Sequence, residues 1–238
     1  MKKHVLKVQP SNKRRQFLKL SGLAVLGSGL LIACDDSNDS PMMPPSSVFD
    51  LGTGDLGVLN YAYALEQLEA DFYTKVVNNP YSGMSSVETT LFTDLYNHEV
   101  NHRDFFSAAI SAAVGSNTDA KLPDLEFDYG DLDWSSRDQV LATAKALEDT
   151  GVAAYNGAGA LISDATYLVI AGKIVSVEAR HASAIRATIS GSDDYTSFAG
   201  DDVIDANGLD LAKSPADIIA VASGFIKTEF TYKDQGVM

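Results

Sequence analysis

Two short stretches of the chain place a histidine three residues after a glutamate. "YNHEVNHRDFF" holds Glu99 and His102, and "SVEARHASAIR" holds Glu178 and His181. Both stretches read as helical. On an α-helix, positions i and i+3 lie about 60° apart and ~4.5 Å along the axis, so the carboxylate and the imidazole share a face. Two further stretches carry a glutamate with a tyrosine seven residues on: Glu66 and Tyr73 in "LEQLEADFY", Glu148 and Tyr155 in "ALEDTGVAAY". Seven residues are nearly two turns, so each Glu–Tyr pair also shares a stripe. Four carboxylates and two neutral imidazoles match the charge and ligand needs of two divalent cations. Buried without cations, such a cluster is very costly.

These residues need four helices side by side, and the sequence supplies them. The first helix is expected from about Val58 to Asn78, ending at "NNPYSG". The second starts at Ser85, with Glu88 placed to complete a capping box, and ends at Gly115. The third starts near Ser135, with Asp138 in the matching place, and carries Gly151, Gly157 and Gly159. Each of those costs about 1 kcal/mol against Ala unless it permits a close helix contact. The fourth runs from Asp164 to a glycine cap at Gly191, and a short fifth opens at "SPAD" with Ser214 and Pro215. No strand is expected. Short links join helices one and two, and three and four, which makes each pair antiparallel. The long link "SNTDAKLPDLEFDYGDLDW" can cross the length of the bundle. The expected fold is all-α: a four-helix bundle with a long crossover between helices 2 and 3 and a short fifth C-terminal helix.

Together these features resemble the ferritin-like proteins. More narrowly, "LEQLEADFY", "ALEDTGVAAYNGAGALI", "IVSVEARHASAIR" and "DANGLDLAKSPADI" resemble the exported ferritin-like family that includes desiccation-related proteins. The resemblance covers roughly residues 55–230. It implies Glu66, Glu99, His102, Glu148, Glu178 and His181 as metal ligands, with Glu99 and Glu148 as the bridges. Tyr73 and Tyr155 would hydrogen-bond the ligands across the site. Glu69, one turn on from Glu66, is an additional candidate ligand. Ferritins often carry Asp just before the Glu of each Glu-x-x-His, where this chain has His98 and Val177. That departure removes the usual support for the histidines, and His98 reads as a polar surface residue. "DANGLD" resembles a calcium loop, but Val203 stands where its first Asp belongs and no Glu closes it.

The N-terminus is organised differently. Residues 1–33 contain seven of the 18 basic residues and none of the 32 acidic ones. They end in the apolar run "LSGLAVLGSGLLIA", too short for a membrane span of roughly 20 residues. "KRRQFLK" resembles a twin-arginine signal through Arg14 and Arg15, with Lys13 replacing the usual Ser or Thr. "LIAC" resembles a bacterial lipobox that lipidates Cys34, the single cysteine. The expected organisation is an export signal over 1–33, a flexible tether over 34–54 and the bundle domain over 55–230. Cleavage leaves 11 basic residues against 32 acidic ones, a net charge of −21 that repels nucleic acid. With the one thiol lipidated, no cysteine ligands remain.

The expected partners are therefore metal ions, O2 or peroxide, and the twin-arginine and lipoprotein-processing machineries. The expected location is the bacterial cell envelope, lipid-anchored after export in folded form. The ligand set suits iron or manganese, and zinc equally well. A dinuclear centre of that kind implies a ferroxidase, peroxidase or catalase-like oxidoreductase. The alternative is a non-catalytic stress or desiccation-protection module in which the metal is structural or absent. A storage cage is weaker, because a lipid anchor and the long crossover would obstruct a closed shell.

Overall fold

The computed structural model describes residues 3–5, 48–191 and 196–233. Arg14, Arg15, Cys34 and most of the expected tether lie outside the described residues. Four long helices form the body: α1 Gly54–Asn78, α2 Ser86–Val114, α3 Arg137–Gly159 and α4 Ala165–Ser190, followed by a short α5, Pro215–Ala222. Three short strands, β1 Lys3–Val5, β2 Phe49–Asp50 and β3 Phe230–Lys233, make a small sheet in the order β1-β3-β2. β1 pairs antiparallel and β2 parallel with β3. The expectation of no strand is corrected here. Segments this short display no alternation that a sequence reading can use.

The helix ends follow their capping chemistry. Ser85 accepts from the Glu88 backbone N–H while the Glu88 carboxylate accepts from the Ser85 N–H, the reciprocal box expected for α2. Asp164 caps α4, and Gly191 ends it at φ +96°. α3 is capped by Ser136 rather than Ser135. The Ser136 hydroxyl accepts from Gln139 N–H, so Asp138 plays no capping role, and Ser135 instead donates to Asp133. α1 begins four residues before the expected Val58 because Gly54 and Gly57 mask its first turn from a propensity reading. Gly57 is needed there: a Cβ would stand 2.9 Å from the Gly52 carbonyl.

Contacts at the ends of the bundle fix its topology. Arg137 at the start of α3 pairs with Glu88 at the start of α2 and donates to the Thr188 carbonyl near the end of α4. Asp55 at the start of α1 accepts from the Ser163 and Asp164 N–H groups between α3 and α4. So α2 and α3 run parallel, and both oppose α1 and α4. The crossover, residues 115–136, climbs along α1. Asn60 donates to the Ala120 carbonyl and accepts from Leu122 N–H. Gln67 donates to the Pro123 carbonyl and accepts from Leu125 N–H. Tyr129 donates to the Leu68 carbonyl and to Asp71. α1 is thereby enclosed, with Ala70, Phe72 and Tyr73 fully buried. Gly157 allows the C-terminal segment to close on α3. A Cβ there would stand 1.8 Å from the Lys213 carbonyl oxygen, and Lys213 N–H donates to the Ala153 carbonyl. Among the described residues no helix is long and apolar enough to cross a membrane.

Glu88 joins two helix starts, which makes it a test of the frame. Burial opposes its ionisation, but hydrogen bonds from Ser85 and Arg137 outweigh burial and hold its carboxyl down at about 2. A carboxyl whose folded pKa is depressed stabilises the fold above its unfolded pKa and loses that contribution as pH falls through the folded value. Glu88→Gln is expected to cost about 1–2 kcal/mol at neutral pH. The gap from the parent should close between pH 5 and pH 2. Urea melts across that range check both the size and the sign.

Candidate metal centre

One residue or pair from each helix reaches the middle of the bundle: Glu66 from α1, Glu99 and His102 from α2, Glu148 from α3, Glu178 and His181 from α4. The four glutamates are 0% exposed. Antiparallel pairing of α1 with α3 makes their contributions reciprocal. Tyr73 of α1 donates to Glu148 Oε1 at 2.5 Å, and Tyr155 of α3 donates to Glu66 Oε1. On α2 and α4 each histidine Nδ1 lies 3.3 Å from the carboxylate one turn back, His102 from Glu99 Oε2 and His181 from Glu178 Oε2.

Oxygen accounting is then simple. Each of the four carboxylates has one oxygen engaged and one with no hydrogen-bond partner: Glu66 Oε2, Glu99 Oε1, Glu148 Oε2 and Glu178 Oε1. Two of these stand 2.9 Å from an imidazole nitrogen, Glu178 Oε1 from His102 Nδ1 and Glu99 Oε1 from His181 Nδ1, without the alignment of a hydrogen bond. His102 Nδ1 also lies 3.5 Å from Glu66 Oε2, and His181 Nδ1 lies 3.4 Å from Glu148 Oε2. Donor atoms from three different helices thus lie within 4.8 Å of one another, with the carboxylate oxygens 2.9–3.5 Å from the imidazole nitrogen, close enough to surround one cation. Two sets of side chains have this form: Glu66, Glu99, His102 and Glu178, and Glu99, Glu148, Glu178 and His181. Each could hold a metal ion. Glu99 and Glu178 belong to both sets, whereas Glu148, expected as a bridge together with Glu99, belongs to one. The other oxygen of Glu148 accepts from Tyr73.

The electrostatics point the same way. Burial, then the neighbouring carboxylates, push Glu99 well above the usual range, and burial pushes Glu148 up to about 7. Glu178 moves the other way: burial opposes its ionisation, but His102 and His181 override burial and hold it at about 2. The imidazoles answer in kind. Burial disfavours their charge, yet the carboxylates raise His102 to about 12 and lift His181 strongly. Burial first, and then the adjacent carboxylates, keep Tyr73 and Tyr155 protonated as donors. In the absence of metal, protons would neutralise this cluster, and a cation must displace them.

A family model for the ferritin-like domain matches residues 54–191, more than half of the chain. The chain belongs to the ferritin-like family. No curated protein matches it. In this ferritin-like bundle the matched segment spans all four long helices, and so all six residues of the cluster.

Other candidates resolve individually. Glu69 belongs to neither set. It is 3% exposed, its Oε2 has no partner, and it lies against Gly151 of α3, where a Cβ would stand 3.0 Å from Glu69 Oε1. Burial and then four neighbouring carboxylates raise its pKa well above the usual value, so it is held as the neutral acid. A cavity of about 10 Å³, close to the space one water needs, adjoins it. Asp149, beside Glu148 in sequence, turns to the outer side and is held by Arg186, which also grips Asp202. Asp205 of "DANGLD" accepts from Asn207 and Leu209 N–H groups within its own turn. His98 was read as a plain surface residue. His98 is exposed, as that reading has it, and its Nδ1 also lies 2.9 Å from His181 Nε2, a contact between helices that spacing along one helix cannot reveal. Burial, then His181 and His102, lower its pKa, which favours the neutral ring.

Three outcomes are expected from these contacts. Glu99→Gln removes a carboxylate from both sets and should abolish metal binding in calorimetry. Glu69→Met should leave binding unchanged and stabilise the metal-free protein by about 1–3 kcal/mol, because a buried acid without a partner is replaced by an apolar chain of similar size. Metal uptake should also release protons, and affinity should fall about ten-fold per pH unit for each proton released as pH drops through 7. Titrations in buffers of different ionisation enthalpy measure that release.

Proposed function

We propose that this protein binds two divalent ions, iron or manganese, and uses them in redox chemistry with O2 or peroxide. The observation that carries the reading is the set of four buried carboxylates, each with one oxygen held and one left over. The side chains fit such a pair: Glu66 and His102 would hold one ion and Glu148 and His181 the other, with Glu99 and Glu178 available to either. When bound, two redox-active metals would supply one-electron exchange at neighbouring centres. The chain supplies the rest. Tyr73 and Tyr155 orient Glu148 and Glu66 by hydrogen bonds. Phe72 and Phe92, fully buried near the Tyr73 ring, help exclude water from the α1 side. The imidazoles are the least buried members, with His102 13% and His181 6% exposed, so access favours the seam between α2 and α4.

The same proposal places the domain in the cell envelope. Export in folded form through Arg14 and Arg15, with lipidation at Cys34, would let the site fill before competing envelope metals reach it. A second reading has one observation in its favour. All four helices contribute to the cluster, so a cation held there would staple the bundle even without turnover, as a stress-protection module requires.

Reconstitution separates the two. The iron-loaded protein should oxidise Fe²⁺ with O2, or the manganese-loaded protein should consume peroxide. In either case the rate should be more than about ten-fold above that of Glu99→Ala. Equal rates, with a melting temperature that chelation still lowers, would replace the redox reading by the stapling one.

A further inference from the structure

The two sets of ligands are matched in type but not in support. The residue before Glu99 on α2 is His98, and the residue before Glu178 on α4 is Val177. His98 Nδ1 lies 2.9 Å from His181 Nε2. The two ring planes differ by 9°, with centroids 5.1 Å apart. The N···N distance and two ring radii account for nearly all of that separation. The rings therefore meet edge to edge in one plane, the geometry of a direct imidazole–imidazole hydrogen bond, and are not stacked face to face. The bond spans α2 and α4 at the seam.

Its direction is set by chemistry. For His181 Nδ1 to present a lone pair to the cluster, its proton must sit on Nε2. That N–H then donates to His98 Nδ1, and the proton of His98 sits on its own Nε2. His181 is fixed in tautomer and in ring plane by this one contact. His102 has no such help. Among the described residues none bonds its Nε2, and Val177, in the place corresponding to His98, has no side-chain atom that can accept. His102 is also the more exposed of the two rings.

We infer that His98 is a positioning residue for His181, so that the set containing Glu148 and His181 takes the first cation and holds it more tightly than the set containing Glu66 and His102. The inference rests on the reading that the protein holds two metals. It adds an order of filling: a retained ion on the α3–α4 side and an exchangeable one on the α1–α2 side.

The test is a Co²⁺ titration of the metal-free full-length protein, followed by calorimetry and by the visible ligand-field spectrum. Two Co²⁺ should bind in two resolved steps. His98→Leu should weaken the first step about 10–100-fold, the usual cost of losing a residue that orients a metal-bound histidine. It should shift the spectrum of that step alone and leave the second step and the metal-free melting temperature unchanged. His98→Gln, whose amide oxygen can accept the same N–H, should keep the first step within a few-fold of the parent (about 1 kcal/mol or less). Two equal steps in the parent, or an unchanged first step in His98→Leu, would overturn the inference while leaving the two-metal reading intact. A parent that binds fewer than two Co²⁺ would remove the two-metal reading and the inference with it.

Discussion

Four carboxylates buried at one level of a bundle cannot all be ionised unless positive charge stands among them. That constraint organises the molecule. It explains why Glu178 is held low while Glu99 and Glu148 are pushed high, since two imidazolium rings cannot neutralise four acids. It also explains the two buried tyrosines. Each covers the one carboxylate oxygen that faces away from the cluster, so the unsatisfied lone pairs are confined to a single small volume.

The frame around the cluster is built to tolerate that cost. α1 lies between the crossover and the other helices, and the Asn60 and Gln67 amides satisfy crossover backbone groups that burial would otherwise leave unpaired. Arg137 and Glu88 tie the starts of α2 and α3, and Arg186 clamps α4 to α3 through Asp149. These polar anchors lie on the outer sides of the helices whose inner sides carry the ligands. The strongly charged groups outside the cluster therefore do not compete with it.

Much of this was legible in the sequence, for identifiable reasons. The Glu-x-x-His spacing, the Glu and Tyr two turns apart, and the caps at Ser85, Asp164, Gly191 and Ser214 are properties of a single helix, and one chain displays them. What needed two helices at once was hidden. The sharing of Glu178 depends on how far α4 leans toward both histidines. The His98–His181 bond depends on the register of α2 against α4. Nothing along α1 marks Asn60 and Gln67, because their partners lie some sixty positions away in the crossover. The start of α1 was missed for a local reason, two glycines whose freedom the close approach at Gly52 turns to use.

The division of ligands between the two antiparallel hairpins has a further consequence. The α1–α2 hairpin owns Glu66, Glu99 and His102, and the α3–α4 hairpin owns Glu148, Glu178 and His181. Each set of four is three side chains from one hairpin and one glutamate lent by the other. Neither hairpin alone can complete a set. The two loans run in opposite directions, so sliding one hairpin along the other would break both sets together. Coordination in this bundle is thus a gauge of register: the centre is whole only when the halves are docked at one relative height, and a cation held there resists every motion that would shear them apart.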